Sequence, residues 1–442
     1  MRLPVREGGI MMMEWYWALS ALLGVLFALM LVGVPVAFAF LGVNLMGAWF
    51  FMGGEAGLGQ LVRNSIQSVS SFSLTPIPLF ILMGEVLFHT GVAYRAITAV
   101  ESLINKVPGR LSIVSVVGGT VFATLSGSTI ANTAMMGGTL LPEMLKRGYH
   151  PSIAMGPIMA VGGIAMLIPP SALAVMLGSL GGISISQLLI GGIVPGLLLA
   201  LLFVGYVVVR CKLDPSLAPA DESGETLRGW QKWKPFVRDV VPLFAIFVAV
   251  VGSMLIGWAS PTESAAIGAV ASALATVFYG SFTWQSFYKS LMETARISVI
   301  ILFVLIASTT FSQLLSFSGA TTGLLGLISA YDLSPLWLVV GMLVIVLVLG
   351  CVIDQVSMMM ITLPFFMPLA NAAGIDPIWL GVMLLLAMEI GLLTPPFGLL
   401  CMVMQSVEPS HIRLTQIYGS VMPFIVIELL VLGLLLFLPW LA

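Results

Sequence analysis

The chain alternates long apolar runs with short polar joints. Runs near 20 residues occur at about 15–33, 35–52, 75–90, 151–180, 186–210, 239–258, 262–280, 298–317, 377–406 and 414–440. At 1.5 Å per residue, each can cross a hydrocarbon layer of roughly 30 Å as a helix. Two further apolar segments, 108–146 and 334–371, are interrupted at their centres and predict re-entrant helical hairpins instead of crossings. The one stretch with an aqueous character is 211–235, CKLDPSLAPADESGETLRGWQKWKP, whose Pro, Ser and charge predict a linker between two halves.

Composition agrees with the pattern. Of 442 residues, 59% are hydrophobic and 8% charged, against about 25% charged in an ordinary soluble domain. Such a chain cannot cover an aqueous surface, so its solvent is the lipid bilayer and the expected class is an all-α polytopic membrane protein. A net charge of −2 with no basic helix gives no reason to expect a nucleic-acid partner. Cys211, Cys351 and Cys401 are too scattered for a disulfide framework or a metal spacing. His89, His150 and His411 show no ligand spacing either, and neither a nucleotide-binding glycine loop nor a GxSxG elbow is present. An enzyme is not expected. The first apolar run has the length of a span and no small-residue cleavage site, so a cleaved signal is not expected.

The two halves match at a constant offset of 226 residues. Pro142, Gly148 and Pro151 fall on Pro368, Gly374 and Pro377, and Pro169-Pro170 falls on Pro395-Pro396. The expected division is a first repeat over 1–210, a linker over 211–238 and a second repeat over 239–442. Charge orients the repeats. Lys106, Arg110, Lys146 and Arg147 mark the ends of the first hairpin, whereas the second carries Asp332 and Asp376 there, and no Lys or Arg occurs from Ile297 to Ile412. By the positive-inside rule the first hairpin opens to the cytoplasm and the second to the opposite face. The same count places the N-terminus outside, against Arg2 and Arg6. Inverted repeats with broken helices are the architecture of secondary transporters, whose sites lie where the halves meet.

The breaks are the candidate chemistry. The first hairpin turns in Ser126-Gly127-Ser128-Thr129-Ile130-Ala131-Asn132, a hydroxyl-rich interruption that must be buried in protein or line a wet cavity. Its hydroxyls and freed carbonyls are hard oxygen ligands suited to an alkali cation, and the helix that follows aims a positive end at any anion there. Small and hydroxylated residues also serve plain helix–helix contact. The offset places Ser128-Thr129 on Asp354-Gln355; Asp354 is either a site carboxylate or a helix cap, and the two roles are compatible. Pro169-Pro170 and Pro395-Pro396 must break their helices, and Gly162-Gly163 with Glu389, Gly391 and Thr394 are expected to lie in unwound polar stretches before them. Glu389 and Glu85 are acids at membrane depth, each a lining or a packing residue.

The runs SGSTIANTAMMGGTLLPEMLKRGY with GGIAMLIPPS, and VIDQVSMMMITLPFFMPLANAAGIDP with EIGLLTPPFG, resemble the large membrane subunit of tripartite ATP-independent periplasmic (TRAP) transporters. The likeness runs from about residue 14 to 440, and it departs at Cys351-Val352, before Asp354. It implies an elevator-type transporter of a bacterial inner membrane, in which the hairpins and broken helices form a moving domain. It also implies a small four-helix membrane subunit and a periplasmic binding protein that delivers a dicarboxylate, a sialic acid or a similar organic acid. Carried onto this chain, the first Na+ site would use Ser126, Ser128, Thr129 and the Gly163–Ile168 backbone. The second would use Asp354, Gln355 and the Gly391–Thr394 backbone. Substrate would sit among Ser128, Thr129, Asn132, Pro169, Pro170, Ser171, Pro395 and Pro396.

Sodium-coupled uptake of such an acid is the function this implies. The alternative is a stand-alone cation-coupled di- or tricarboxylate or anion symporter of the same fold. Two antiparallel copies with broken helices favour alternating access over a channel, which ordinarily repeats around a pore. The topology is testable. In a background with Cys211, Cys351 and Cys401 changed to Ala, Ser223→Cys is expected to react with an impermeant maleimide only from the cytoplasmic face, and labelling of intact cells would overturn the orientation.

Overall fold

The computed structural model describes residues 14–104, 107–219, 230–331, 333–407 and 412–442. Arg2, Arg6, Lys106, Ser223, Asp332 and His411, named above, fall outside the described residues, as does the middle of the linker. Among the described residues every regular element is a helix.

The starts are written in the sequence. Pro opens the helices Pro76–His89, Pro151–Leu167, Pro261–Phe278, Pro335–Gly350 and Pro377–Leu393, where its missing N–H costs nothing. Ser260 and Glu263 form a capping box before Pro261–Phe278, and Asp376 accepts from the N–H groups of Ile378 and Trp379.

Among the described residues five helices are long and apolar enough to cross a bilayer, and counting each of two bent pairs as one span brings the number to seven. The pairs are Pro151–Leu167 with Ala172–Gly181, at 44°, and Trp230–Asp239 with Val241–Leu255, at 41°. Ten crossings were expected. Trp15–Leu31, Val36–Phe51 and Pro377–Leu393 are apolar but only 17, 16 and 17 residues long, at the short limit of what a membrane requires. The run expected over 298–317 is the end of a 34-residue helix, Trp284–Phe317. Within the expected linker 211–238, helix Ile193–Leu213 covers the first residues and helix Trp230–Asp239 the last.

The hairpin segments each fold as two helices, Arg110–Ser126 with Thr129–Lys146, and Pro335–Gly350 with Gln355–Ala372. Thr129–Lys146 and Pro151–Leu167 begin and end 226 residues before Gln355–Ala372 and Pro377–Leu393. Pro151–Leu167 and Pro377–Leu393 form the centre: from Ile153 to Leu167 and from Leu380 to Leu393 every residue is buried. The first hairpin packs on the former, and Pro335–Gly350 packs on the latter. Around this core lie helices the hydropathy runs did not announce, Glu55–Val69, Val92–Leu103 and Ala320–Ala330.

Close glycine contacts fix the spacing of the core. A methyl on Gly350 would lie 2.5 Å from the Cα of Gly391, backbone against backbone, whereas nothing lies within 4 Å of one on Gly138. Gly391→Val is therefore expected to destabilise the detergent-solubilised protein by about 1–3 kcal/mol, the usual overpacking cost. Gly138→Ala, in the exposed face of Thr129–Lys146, should leave melting unchanged or raised. Thermal unfolding that does not separate the two variants would contradict this packing.

Candidate functional site

Each hairpin tip is closed by a side-chain cap. Gly127 turns the first tip with φ +58, a left-handed conformation open to glycine at little cost. The Ser128 hydroxyl then accepts from the Ala131 N–H at 3.3 Å and starts the second arm. At the second tip the Asp354 carboxylate accepts from Val356 N and Ser357 N at 3.0 and 3.2 Å, and the Ser357 hydroxyl donates to its other oxygen. Asp354 is thus a helix cap by geometry, and only half-buried.

The tips meet the broken helices. A methyl on Gly127 would come within 2.6 Å of the Pro170 carbonyl oxygen, so the first tip rests on the first Pro-Pro break. The Phe397 N–H, just beyond Pro395-Pro396, donates to the Cys351 carbonyl at 3.2 Å, which joins the second tip to the second break. Ser171 is buried, and its hydroxyl accepts from Ala174 N at 3.2 Å to begin the distal half of the first broken helix. The Thr394 hydroxyl donates to the Ile390 carbonyl at 2.6 Å and Tyr418 Oη donates to the Pro396 carbonyl at 2.5 Å. Both Pro-Pro bonds are cis.

The unwinding is narrower than expected. Gly162, Gly163, Glu389 and Gly391 lie within regular helix, and the breaks begin at Ile168 and Thr394. Those glycines are contact points. Gly162 admits Thr133 Oγ1 and the Thr129 carbonyl, and Gly163 admits the Glu389 side chain, which lies directly over it. Gly163 and Glu389 are themselves 226 positions apart. Both Glu389 carboxylate oxygens are buried and have no hydrogen-bond partner among the described residues.

The remaining expected residues divide by burial. Thr129 and Gln355 begin their arms and are buried; Gln355 Nε2 approaches Met166 Sδ at 3.3 Å. Asn132 is fully buried between the first arm and the first broken helix, its Nδ2 within 3.3 and 3.4 Å of the Gly119 and Val161 carbonyls. The Ser126 side chain lies outside the described residues. Two arginines that could compete for an anion are held elsewhere. Arg110 donates to the Glu101 carbonyl at 3.1 Å at the base of the hairpin, and Arg63 donates to Gln60 Oε1 at 2.9 Å. Glu85 pairs with His89 at 3.1 Å. Met166 was not anticipated, nor was Glu428, the second buried acid beside Glu389 among the described residues; its only signal is its place inside the run 414–440.

Residues 23–441 match the family model described as the tripartite ATP-independent periplasmic transporter, DctM component. The chain belongs to that family. The permease is 31% identical over 426 residues to the 2,3-diketo-L-gulonate TRAP transporter large permease protein YiaN of Escherichia coli, covering 96% of this chain and 97% of the relative. It is 29% identical to the sialic acid TRAP transporter large permease protein SiaM of Vibrio cholerae, over 92% and 94% of the two chains. It is 28% identical to the ectoine/5-hydroxyectoine TRAP transporter large permease protein UehC of Ruegeria pomeroyi, over 94% and 95%. Among solved structures, the Alcanivorax borkumensis YdaH transporter matches this permease with a TM-score of 0.60 at 15% identity, covering 86% of this chain and 88% of the other. That likeness concerns the fold alone. The permease is a multi-pass membrane protein of a transporter family whose named substrates vary from member to member.

Proposed function

We propose that this permease carries a small organic acid inward across a bacterial inner membrane, driven by sodium, after delivery by a periplasmic binding protein and together with a small four-helix membrane subunit. The two halves are read as inverted repeats. Their hairpins and broken helices form the body that moves relative to the remaining helices. The observation that carries this reading is the meeting of each capped hairpin tip with its own Pro-Pro break, inside a chain of the TRAP large-permease family.

Sodium is a co-substrate in this reading. The first site would draw on Ser126, Ser128, Thr129 and carbonyls between Gly163 and Ile168; the second on Asp354, Gln355 and carbonyls between Gly391 and Thr394. The donors suit the ion: hydroxyl, amide and carboxylate oxygens beside backbone carbonyls freed at a helix break are hard ligands, as alkali cations prefer. Because Gly163 and Gly391 are helical, the carbonyls near Ile168 and Thr394 are the stronger candidates. The substrate would lie between Ser128 and Thr129, with Asn132 bracing the tip from behind, and the breaks at Pro169-Pro170-Ser171 and Pro395-Pro396.

Its carboxylate has to be held without a cationic side chain from the second half, which has none between Ile297 and Ile412. A helix N-terminus supplies about half a positive charge, and a bound sodium supplies a full one. Substrate affinity is therefore expected to fall steeply as sodium is withdrawn, and sodium affinity to rise reciprocally with substrate. Sodium-independent substrate binding by the purified complex would end the coupling argument.

Asp354 separates capping from charge. Asn caps a helix about as well as Asp, so Asp354→Asn should insert and fold like the parent while its apparent sodium affinity drops roughly tenfold or more, about 1.4 kcal/mol. Ser128→Ala with Thr129→Ala should likewise leave insertion intact and abolish sodium-driven uptake in proteoliposomes. If both variants transport like the parent at every sodium concentration, the site is elsewhere. Uptake that proceeds without any soluble binding protein would instead favour the stand-alone symporter.

A further inference from the structure

The helix Trp230–Asp239, WQKWKPFVRD, has no buried residue. It lies along Val92–Leu103, with Ser102 Oγ 3.5 Å from the Lys232 carbonyl, and turns through 41° into the apolar helix Val241–Leu255. Trp230 and Trp233 are exposed, with Lys232, Lys234 and Arg238 interleaved among them. This mixture belongs at the boundary between headgroups and acyl chains, where indole rings and basic side chains both find favourable surroundings.

At the end of this helix a groove of about 490 Å³ opens between Val241–Leu255 and Pro261–Phe278. Its wall is apolar, formed by Pro242, Ile246, Leu274 and Phe278, while Arg238 and Tyr279 stand at one end. Tyr279 organises that end. Its hydroxyl donates to the Arg238 carbonyl at 2.7 Å, and its own carbonyl accepts from Arg95 Nη1 at 3.3 Å. Two guanidiniums therefore stand at this end, Arg238 lining the groove and Arg95 on the Tyr279 carbonyl, with one carboxylate, Asp239, beside Arg238. Asp239 lies 4.0 Å from Arg238 Nε, and the Arg238 side chain remains 67% exposed. The groove therefore joins a net positive mouth to an apolar trough inside a membrane protein.

We propose that this groove is a binding site for an anionic phospholipid. The phosphate sits between Arg238 and Arg95, and an acyl chain runs along Ile246, Leu274 and Phe278. A free phosphate would meet only the mouth and leave the trough unused, whereas a bilayer lipid satisfies both, and basic pockets at the ends of membrane helices favour acidic headgroups.

Native mass spectrometry of the purified permease titrated with phosphatidylglycerol or phosphatidylcholine of the same chains tests this directly. The parent is expected to retain phosphatidylglycerol roughly tenfold better. Arg95→Ala with Arg238→Ala should remove that preference, Arg238→Lys should keep most of it, and Arg413→Ala, at the start of Leu414–Phe437 and not among the groove's lining residues, should keep all of it. Equal retention of the two lipids by the unmodified protein overturns the proposal whether or not the variants fold. A double-Ala variant that keeps the parent's preference overturns it too. Inorganic phosphate displacing the bound lipid at millimolar concentration would show that the trough contributes nothing, and would overturn it as well.

Discussion

A helix that stops inside a hydrocarbon layer leaves up to four backbone N–H groups or four carbonyls without partners, and lipid offers none. This chain stops helices at two hairpin tips and two Pro-Pro breaks, and with these at membrane depth, as the proposed function requires, the architecture must repair the same defect repeatedly. The donors are covered by Ser128, Ser171 and Asp354, each accepting from the turn that follows it. Some acceptors are covered from outside the helix, through the Tyr418 hydroxyl on the Pro396 carbonyl and the Phe397 N–H on Cys351. A buried polar group left unpaired costs about 1–3 kcal/mol, so tips and breaks are far more stable against each other than facing lipid. Their mutual packing follows from that cost.

Such packing requires backbones to approach closely, and this explains where the glycines stand. Gly127 lets the first tip rest on the Pro170 carbonyl, and Gly350 against Gly391 lets the second hairpin touch the second broken helix. Gly163 under Glu389 brings the two broken helices together. In the repeat we propose, these two residues occupy the same position in different halves. A residue can touch its own symmetry equivalent only near the symmetry axis, so this contact would mark the axis. Two bulky residues cannot both occupy such a point, and here Gly163 leaves the room that the Glu389 side chain takes.

Much of this was legible because breaks carry strong local signals. Pro-Pro inside an apolar run, and Ser-Gly-Ser or Asp-Gln at the centre of one, are expensive unless they are used, and the helices end within a residue or two of where those signals stand. The reading of Gly162-Gly163 and Gly391 as unwound failed for a related reason. Glycine in an apolar run signals close approach as well as helix breaking, and without the neighbour's position the two cannot be told apart. The surface helices Glu55–Val69 and Val92–Leu103 were missed because they carry too much polarity to register as hydropathy runs. The extension of Trp284–Phe317 back to Trp284 was missed on the same ground, since Gln285, Lys289, Glu293 and Arg296 lower the hydropathy without disturbing the helix. The convergence of tips and breaks has no local signal at all, being set by tertiary packing.

The two tips also show how one cap geometry can carry two charges. Ser128 and Asp354 sit at equivalent positions by the 226-residue offset, and both accept from the first turn of the helix they start. As caps they are nearly interchangeable, so helix formation does not require the carboxylate at Asp354. Its extra charge is a cost in a half-buried place, offset in part by the helix N-terminus it faces. Nearby cationic side chains cannot do the rest, since the second half has none between Ile297 and Ile412. Under the function proposed above, a mobile cation does the rest, attracted more strongly to the second tip than to the first. The first tip, neutral and lined by hydroxyls, would depend more on the negative charge of a substrate to hold its ion. Under the reading proposed here the two half-sites are therefore unequal by charge though each is capped by a side chain, with the second filling first and the first filling together with the acid. That order would follow from the charge at the capping position, on connections that differ in length: Gly127–Ser128 at the first tip and Cys351–Asp354 at the second.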